Sequence, residues 1–293
     1  MRTPARSSDA VPRLRGYLPE HPARTYPPVG KCIYCGRTEG LSDEHIVPLG
    51  LGGRFVLPKA SCAVCADFTS KFERTCLRTM YGPLRLLYDL PSRRTGDRPA
   101  QLELKVKFGE NEDWKRVPVD QERYPFLVTF PHFGLPGVLS GADPVLASGP
   151  VTQRLWIRGA SPSYDFHELL QELATELGTH TIMPESKVEV PAFCRLLAKV
   201  AYSFAVAERG LNAVDSPIVA YATNGDLSHC LHYIGSGESD KLPSDALHEL
   251  SIIEFGARPF LVAEIRLLAK LGTPTYYVVL SEKNRDRFIF PTP

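Results

Sequence analysis

Two Cys-x-x-Cys pairs, Cys32 with Cys35 and Cys62 with Cys65, stand 26 residues apart. Each pair can present two thiolates from a tight turn to one tetrahedral ion, so the chain between them must leave a point and return to it. Four soft sulfur ligands with no open position have the character of a structural zinc site. A redox Cys-x-x-Cys would not need its twin, while an iron–sulfur cluster accepts similar ligands; zinc is the expectation. Such a site contributes on the order of 10 kcal/mol to folding, enough to organise a segment too small to hold itself together.

The enclosed stretch EGLSDEHIVPLGLGGRFVLPKAS has room for one excursion. Leu41 to Val47 is short enough for a single strand, and Gly50, Gly52 and Gly53 enforce a loop before the return. After Cys65 the run CADFTSKFERTCLRTM has helical periodicity, with Phe68, Phe72, Cys76 and Met80 on one face. Strand, loop, return and helix make a ββα unit. His45 is expected at the end of the first strand, facing the helix. Of the acids before it, Asp43 and Glu44, alternation allows only one to share a side with a given partner.

These residues resemble the HNH endonucleases, more narrowly the branch with an EH dipeptide and two flanking Cys-x-x-Cys pairs. The matching segments are CIYCG (32–36), DEHIVP (43–48), LGG (51–53), CAVC (62–65) and TSKFE (69–73). The resemblance covers residues 30 to 90 and implies a treble-clef-like ββα-metal module with structural zinc at Cys32, Cys35, Cys62 and Cys65. It further implies His45 as general base on a water attacking phosphorus. Glu44, with Asp43 beside it, is implied as a ligand of a catalytic Mg²⁺ or Mn²⁺. The chemistry is coherent by itself, because an imidazole of ordinary pKa near 6.5 beside a carboxylate-bound hard cation supplies both an activated water and a charge for the leaving oxygen.

The pattern departs from the family at Ala66, where the family carries Asn directly after the last cysteine. Asp67 is the first oxygen-bearing side chain beyond it and is expected to replace that ligand; its other reading is an i,i+4 pair with Lys71. The leading expectation is a metal-dependent DNA endonuclease, in bacterial defence or mobile-element biology by analogy with related nucleases. The alternative is a non-catalytic zinc module that docks nucleic acid or protein.

Charge supports a nucleic-acid partner, with double-stranded DNA the expected form. Residues 1–100 hold 16 Lys and Arg against 9 Asp and Glu, whereas the other 193 hold 18 against 24. The basic end is the end with the cysteines. Lys71, Arg74 and Arg78 share a helical face opposite the phenylalanines, and Arg54 and Lys59 flank the glycine loop; all five are candidate phosphate contacts.

The chain therefore divides, by this reading, into a disordered leader at 1–30, the zinc module at 31–95, and an α+β domain at 96–293. The Pro- and Arg-rich LPSRRTGDRPA marks the boundary. In the last part a hairpin (102–108 with 115–120), a strand at 153–159, and helices over 164–178 and 191–210 are expected. The task of this part stays open between DNA recognition, self-association and ligand sensing. His229, Cys230 and His232 lack a fourth metal ligand at sensible spacing. No run of eighteen apolar residues and no signal-peptide core occurs, so a cytoplasmic location without membrane contact is expected.

Overall fold

Cys32 and Cys35 lie on the turn before one strand, and Cys62 and Cys65 straddle the junction between the return strand and a helix. This is a computed structural model and describes residues 18–92, 99–142, 154–160, 165–225, 227–237, 242–255 and 260–281. The first strands are β1 (Arg24–Thr25), β2 (Leu41–His45) and β3 (Phe55–Cys62), followed by α1 (Ala63–Thr75). β3 is central, antiparallel to β2 and parallel to β1.

The β2–β3 ladder runs from Leu41 opposite Cys62 to His45 opposite Val56, with a register shift between Ser42 and Glu44. Lys59 takes a left-handed φ of 49°, and its amide donates to Asp43 Oδ1 at 3.2 Å. The proline in the same strand, Pro58, is tolerated at this irregularity because the regular ladder is already broken there. Beyond β2 the chain turns through Leu49–Leu51 into Gly52, at φ 84°. Gly53 is obligatory: a Cβ there would lie 2.1 Å from the Val47 carbonyl oxygen. The Arg85 guanidinium donates to the carbonyls of Gly50 (2.7 Å) and Pro91 (2.7 Å), holding this loop to the chain that follows α1.

α1 buries Phe72, and a π-helical turn, Cys76–Met80, carries the same face on to Cys76 and Met80. The Arg195 guanidinium lies 4.7 Å and 4.5 Å from the ring centroids of Phe68 and Phe72. The opposite side, with Lys71, Arg74 and Arg78, is exposed.

After α2 (Gly82–Leu87), the remaining elements are β4 (Gln101–Lys107), β5 (Lys115–Asp120), β6 (Phe126–His132), α3 (Gly137–Ser140), β7 (Arg154–Ala160), α4 (Phe166–Leu177), β8 (Thr181–Met183), α5 (Val190–Arg209), α6 (Ile218–Thr223), α7 (Cys230–Tyr233), β9 (Ile234–Ser236), β10 (His248–Phe255), β11 (Phe260–Leu267) and β12 (Tyr276–Ser281). They form sheets ordered β5-β4-β8, β6-β7 and β10-β11-β12-β9. The protein is thus mixed α+β. α4 begins where Asp165 Oδ1 accepts from the Glu168 amide at 2.8 Å and ends at left-handed Gly178, as an N-cap acid and C-terminal glycine dictate.

α5 is apolar nearly all round and buried from Phe193 through Val206, apart from Arg195. It has the length and composition to cross a membrane, but most of it lies inside the protein, as a central core helix must. It packs on α1, α6, β11 and β12. One contiguous apolar core runs from Leu18 to Leu280. The division expected near residue 95 therefore does not separate two cores; residues 93–98 themselves lie outside the described set.

The leader expectation needs correction in its second half. Residues 1–17 lie outside the described set, but Leu18, His21 and Tyr26 are buried and β1 pairs with β3. An apolar residue every few positions among the prolines is enough to dock this strap without regular structure. His21 Nδ1 accepts from the Arg54 amide at 3.1 Å, and its ring stacks at 4.3 Å on Phe55 and 5.2 Å from His248. The Leu268 amide donates to His248 Nδ1 (3.2 Å), so Nε2 carries the proton and donates to the Leu51 carbonyl (2.9 Å).

Both histidines are held neutral. Burial, with Arg54 assisting, pushes His21 down to about 4, and burial, with His21 assisting, pushes His248 down to about 3. Unfolding restores a pKa near 6.5, so the unfolded chain binds more protons below that pH. Their contribution is complete above pH 6.5 and is lost as pH falls toward 4 and 3. Thermal melts should show stability declining from pH 6.5 to pH 5. His248→Gln should lower stability by about 1–3 kcal/mol at pH 7.5 while flattening that decline; an unchanged slope would refute this assignment.

Candidate functional site

The four cysteine sulfurs lie within 4.8 Å of one another. Cys35 Sγ stands 3.6 Å from Cys62 Sγ; sulfurs sharing a tetrahedral zinc at the usual 2.3 Å bond length stand about 3.8 Å apart. The group could hold a metal ion, and its all-thiolate chemistry suits zinc. Without a cation the thiols cannot all ionise: the Cys65 amide, against some burial, holds Cys62 down to about 7, while burial and the neighbouring sulfurs push Cys65 up. Among the described residues this is the one gathering of three or more His, Cys, Asp or Glu side chains fit for a metal.

At the other end of β2 the acids part company. Asp43 is exposed and accepts from the Lys59 amide, holding the irregular turn of β3. Glu44 is buried at 6% exposure, and its Oε1 lies 2.6 Å from Lys199 Nζ on α5. The same ammonium lies 3.0 Å from Glu73 Oε1 on α1, donates to the Ile46 carbonyl at 3.3 Å, and donates to the His45 carbonyl. Lys199 is 1% exposed. Burial opposes its charge, but Glu44 and Glu73 outweigh burial and hold the ammonium above its ordinary range. Burial pushes the Glu44 carboxyl up, with Lys199 pulling the other way and Glu73 adding to the rise.

The β2 residue whose side chain shares a partner with α1 is therefore Glu44, and His45 alternates with it at the strand end. His45 is half-buried with Nδ1 inside the protein, and Lys199 grips its backbone carbonyl. Asp67, expected to meet Glu44 at a divalent ion, instead lies 3.1 Å from Lys71 at 66% exposure, the i,i+4 pair that its position also allowed. The three acids Asp43, Glu44 and Asp67 thus have three different partners. Arg54 faces Glu20, while Lys59, Arg74 and Arg78 are exposed.

Glu73 and Lys199 were not singled out from the sequence. Each left a signal. Glu73 falls seven residues after Ala66, on the same helical face as the position from which a helix ligand was expected. Lys199 interrupts the apolar run of α5, and a lysine in a helix buried all round must find a counter-charge.

Searches against protein-family models, curated proteins and solved structures return no match for this chain. The site must be read from its own geometry. Purified protein should contain about one zinc per chain by elemental analysis. Cys32→Ser or Cys62→Ser should release it and cost several kcal/mol of stability. Full retention of the fold after zinc removal, or an iron–sulfur absorption band, would contradict this.

Proposed function

We propose that residues 30–90 are a zinc-pinned HNH-type module and that the protein is a metal-dependent endonuclease acting on DNA. What supports this is the meeting of a strand carboxylate, Glu44, and a helix carboxylate, Glu73, at one cation position that also takes the backbone carbonyl of His45. Hydrolysis of a phosphodiester needs these parts together: a base for water, and a cation near the charge that develops on the leaving oxygen. His45 takes the water proton. A Mg²⁺ or Mn²⁺ held by Glu44 would stabilise that developing charge. Glu73 takes the helix role first expected of Asp67, since Asp67 is turned to Lys71 and solvent.

Lys71, Arg74 and Arg78 lie along one exposed helical face and are the proposed phosphate contacts, joined by Arg54 and Lys59. Such contacts position the duplex and carry no base specificity. A second reading is favoured by one observation: the cation beside Glu44 is Lys199, already inside the protein. On that reading the block is a non-catalytic zinc-binding module that docks nucleic acid or protein.

Two measurements separate these readings. Plasmid incubated with the protein should be cut in Mg²⁺ or Mn²⁺ and not in EDTA, and His45→Ala should abolish cutting while zinc content and DNA affinity persist. If neither the wild type nor Lys199→Gln, which removes the ammonium beside Glu44, cuts plasmid, single-stranded DNA or RNA with either ion, the docking reading replaces the catalytic one. Binding should weaken steeply with salt, and Lys71→Ala with Arg74→Ala should flatten the log–log slope by about one unit per lost contact; an unaltered slope would remove this face from the interface.

A further inference from the structure

The Lys199 ammonium is surrounded by four oxygens. Glu44 Oε1, Glu73 Oε1 and the Ile46 carbonyl lie at 2.6, 3.0 and 3.3 Å, and the His45 carbonyl is the fourth acceptor. Two carboxylates and two carbonyls are the donors that hard divalent ions take, at 2.0 to about 2.6 Å. An ammonium is a compact point charge on a flexible stem, so it can stand in such a cage as a metal ion would. The occupancy leaves a mismatch, because one ammonium faces two carboxylates in a place almost closed to water.

A second observation lies along the same helix. The Tyr34 hydroxyl is buried and has no hydrogen-bond partner among the described residues. Its ring centroid lies 5.8 Å from that of Tyr202, three residues beyond Lys199 on α5. Buried hydroxyls in folded proteins nearly always have a partner, so this one leaves room for a further ligand near that stretch of α5.

We propose that the cage formed by Glu44, Glu73 and the carbonyls of His45 and Ile46 is a divalent-cation site that Lys199 holds shut as a tethered occupant. Ion and ammonium compete for the same oxygens. The regulatory meaning rests on the nuclease reading: metal would reach Glu44 only when Lys199 withdraws, so α5, on the far side of the chain sequence, gates the catalytic cation. The cage itself does not depend on that reading, since its test is metal binding.

The experiment uses the full, zinc-loaded chain in chelator-free buffer, with Mn²⁺ as probe followed by calorimetric titration and by electron paramagnetic resonance. Lys199→Gln should bind one Mn²⁺ at least about tenfold more tightly than the wild type, a removed buried charge being worth at least that factor. Adding Glu73→Gln to it should abolish the gain. The melting temperature of Lys199→Gln, lowered without Mn²⁺, should rise when Mn²⁺ is added, and by more than that of the wild type. Equal affinity in wild type and Lys199→Gln overturns the proposal, as does tight binding that survives Glu73→Gln. A Lys199→Gln chain that stays unfolded even in saturating Mn²⁺ also overturns it, because the ion should replace the ammonium. If Lys199→Gln gains Mn²⁺ but neither protein cuts DNA, the nuclease reading fails and the cage stands; if the wild type cuts DNA while Lys199→Gln gains no Mn²⁺, the reverse holds.

Discussion

Burying the Lys199 charge in the middle of the core helix constrains everything around it. A lone ammonium taken out of water costs several kcal/mol, and removing one partner of a buried ion pair typically costs about 3–5 kcal/mol. The chain meets that demand only when β2 brings Glu44, α1 brings Glu73, and the end of β2 offers the carbonyls of His45 and Ile46 to the same nitrogen. Strand, helix and core helix can therefore dock in one arrangement. Tyr202, one turn along α5 from Lys199, adds a bond from its hydroxyl to the Ile33 carbonyl, next to the first cysteine pair.

Local backbone constraints hold the other end of this arrangement. Gly53 lets the chain pass against Val47, and the Leu51 carbonyl just before it accepts from His248, so the loop after His45 is tied to β10 and β11. Asp43 is engaged with the Lys59 amide where β3 departs from regular pairing. The result is a short strand clamped at both ends, with the four-cysteine group at its start and His45 at its finish. On the proposed nuclease reading such clamping matters, because a base is effective only when held within hydrogen-bond reach of its proton.

Much of this was legible in the residues. Cysteine spacing brought the two pairs together, the apolar stripe Phe72, Cys76 and Met80 turned inward while Lys71, Arg74 and Arg78 turned out, and capping residues bounded α4 and α5 near where Asp165, Gly178, Pro191 and Gly210 put them. These features depend on interactions within a few residues, or on one strong metal-ligand preference, and so can be read along the chain. The strap at residues 18–30 was not legible, because its prolines and arginines match a disordered composition and its docking depends on surfaces supplied by β3 and β10.

The sequence by itself determined the four-thiol cluster, the strand–loop–strand–helix order, the adjacency of Glu44 to His45, and the exposure of the basic helical face. Only the tertiary structure decided which acid turns inward, that Glu73 rather than Asp67 shares its partner, and that the cation between them is Lys199. Glu44 and Lys199 are 155 positions apart, and no periodicity spans that distance. Whether a carboxylate meets water, a metal or an ammonium is set by the dielectric and the charges around it after the chain has folded, and those belong to the assembled core.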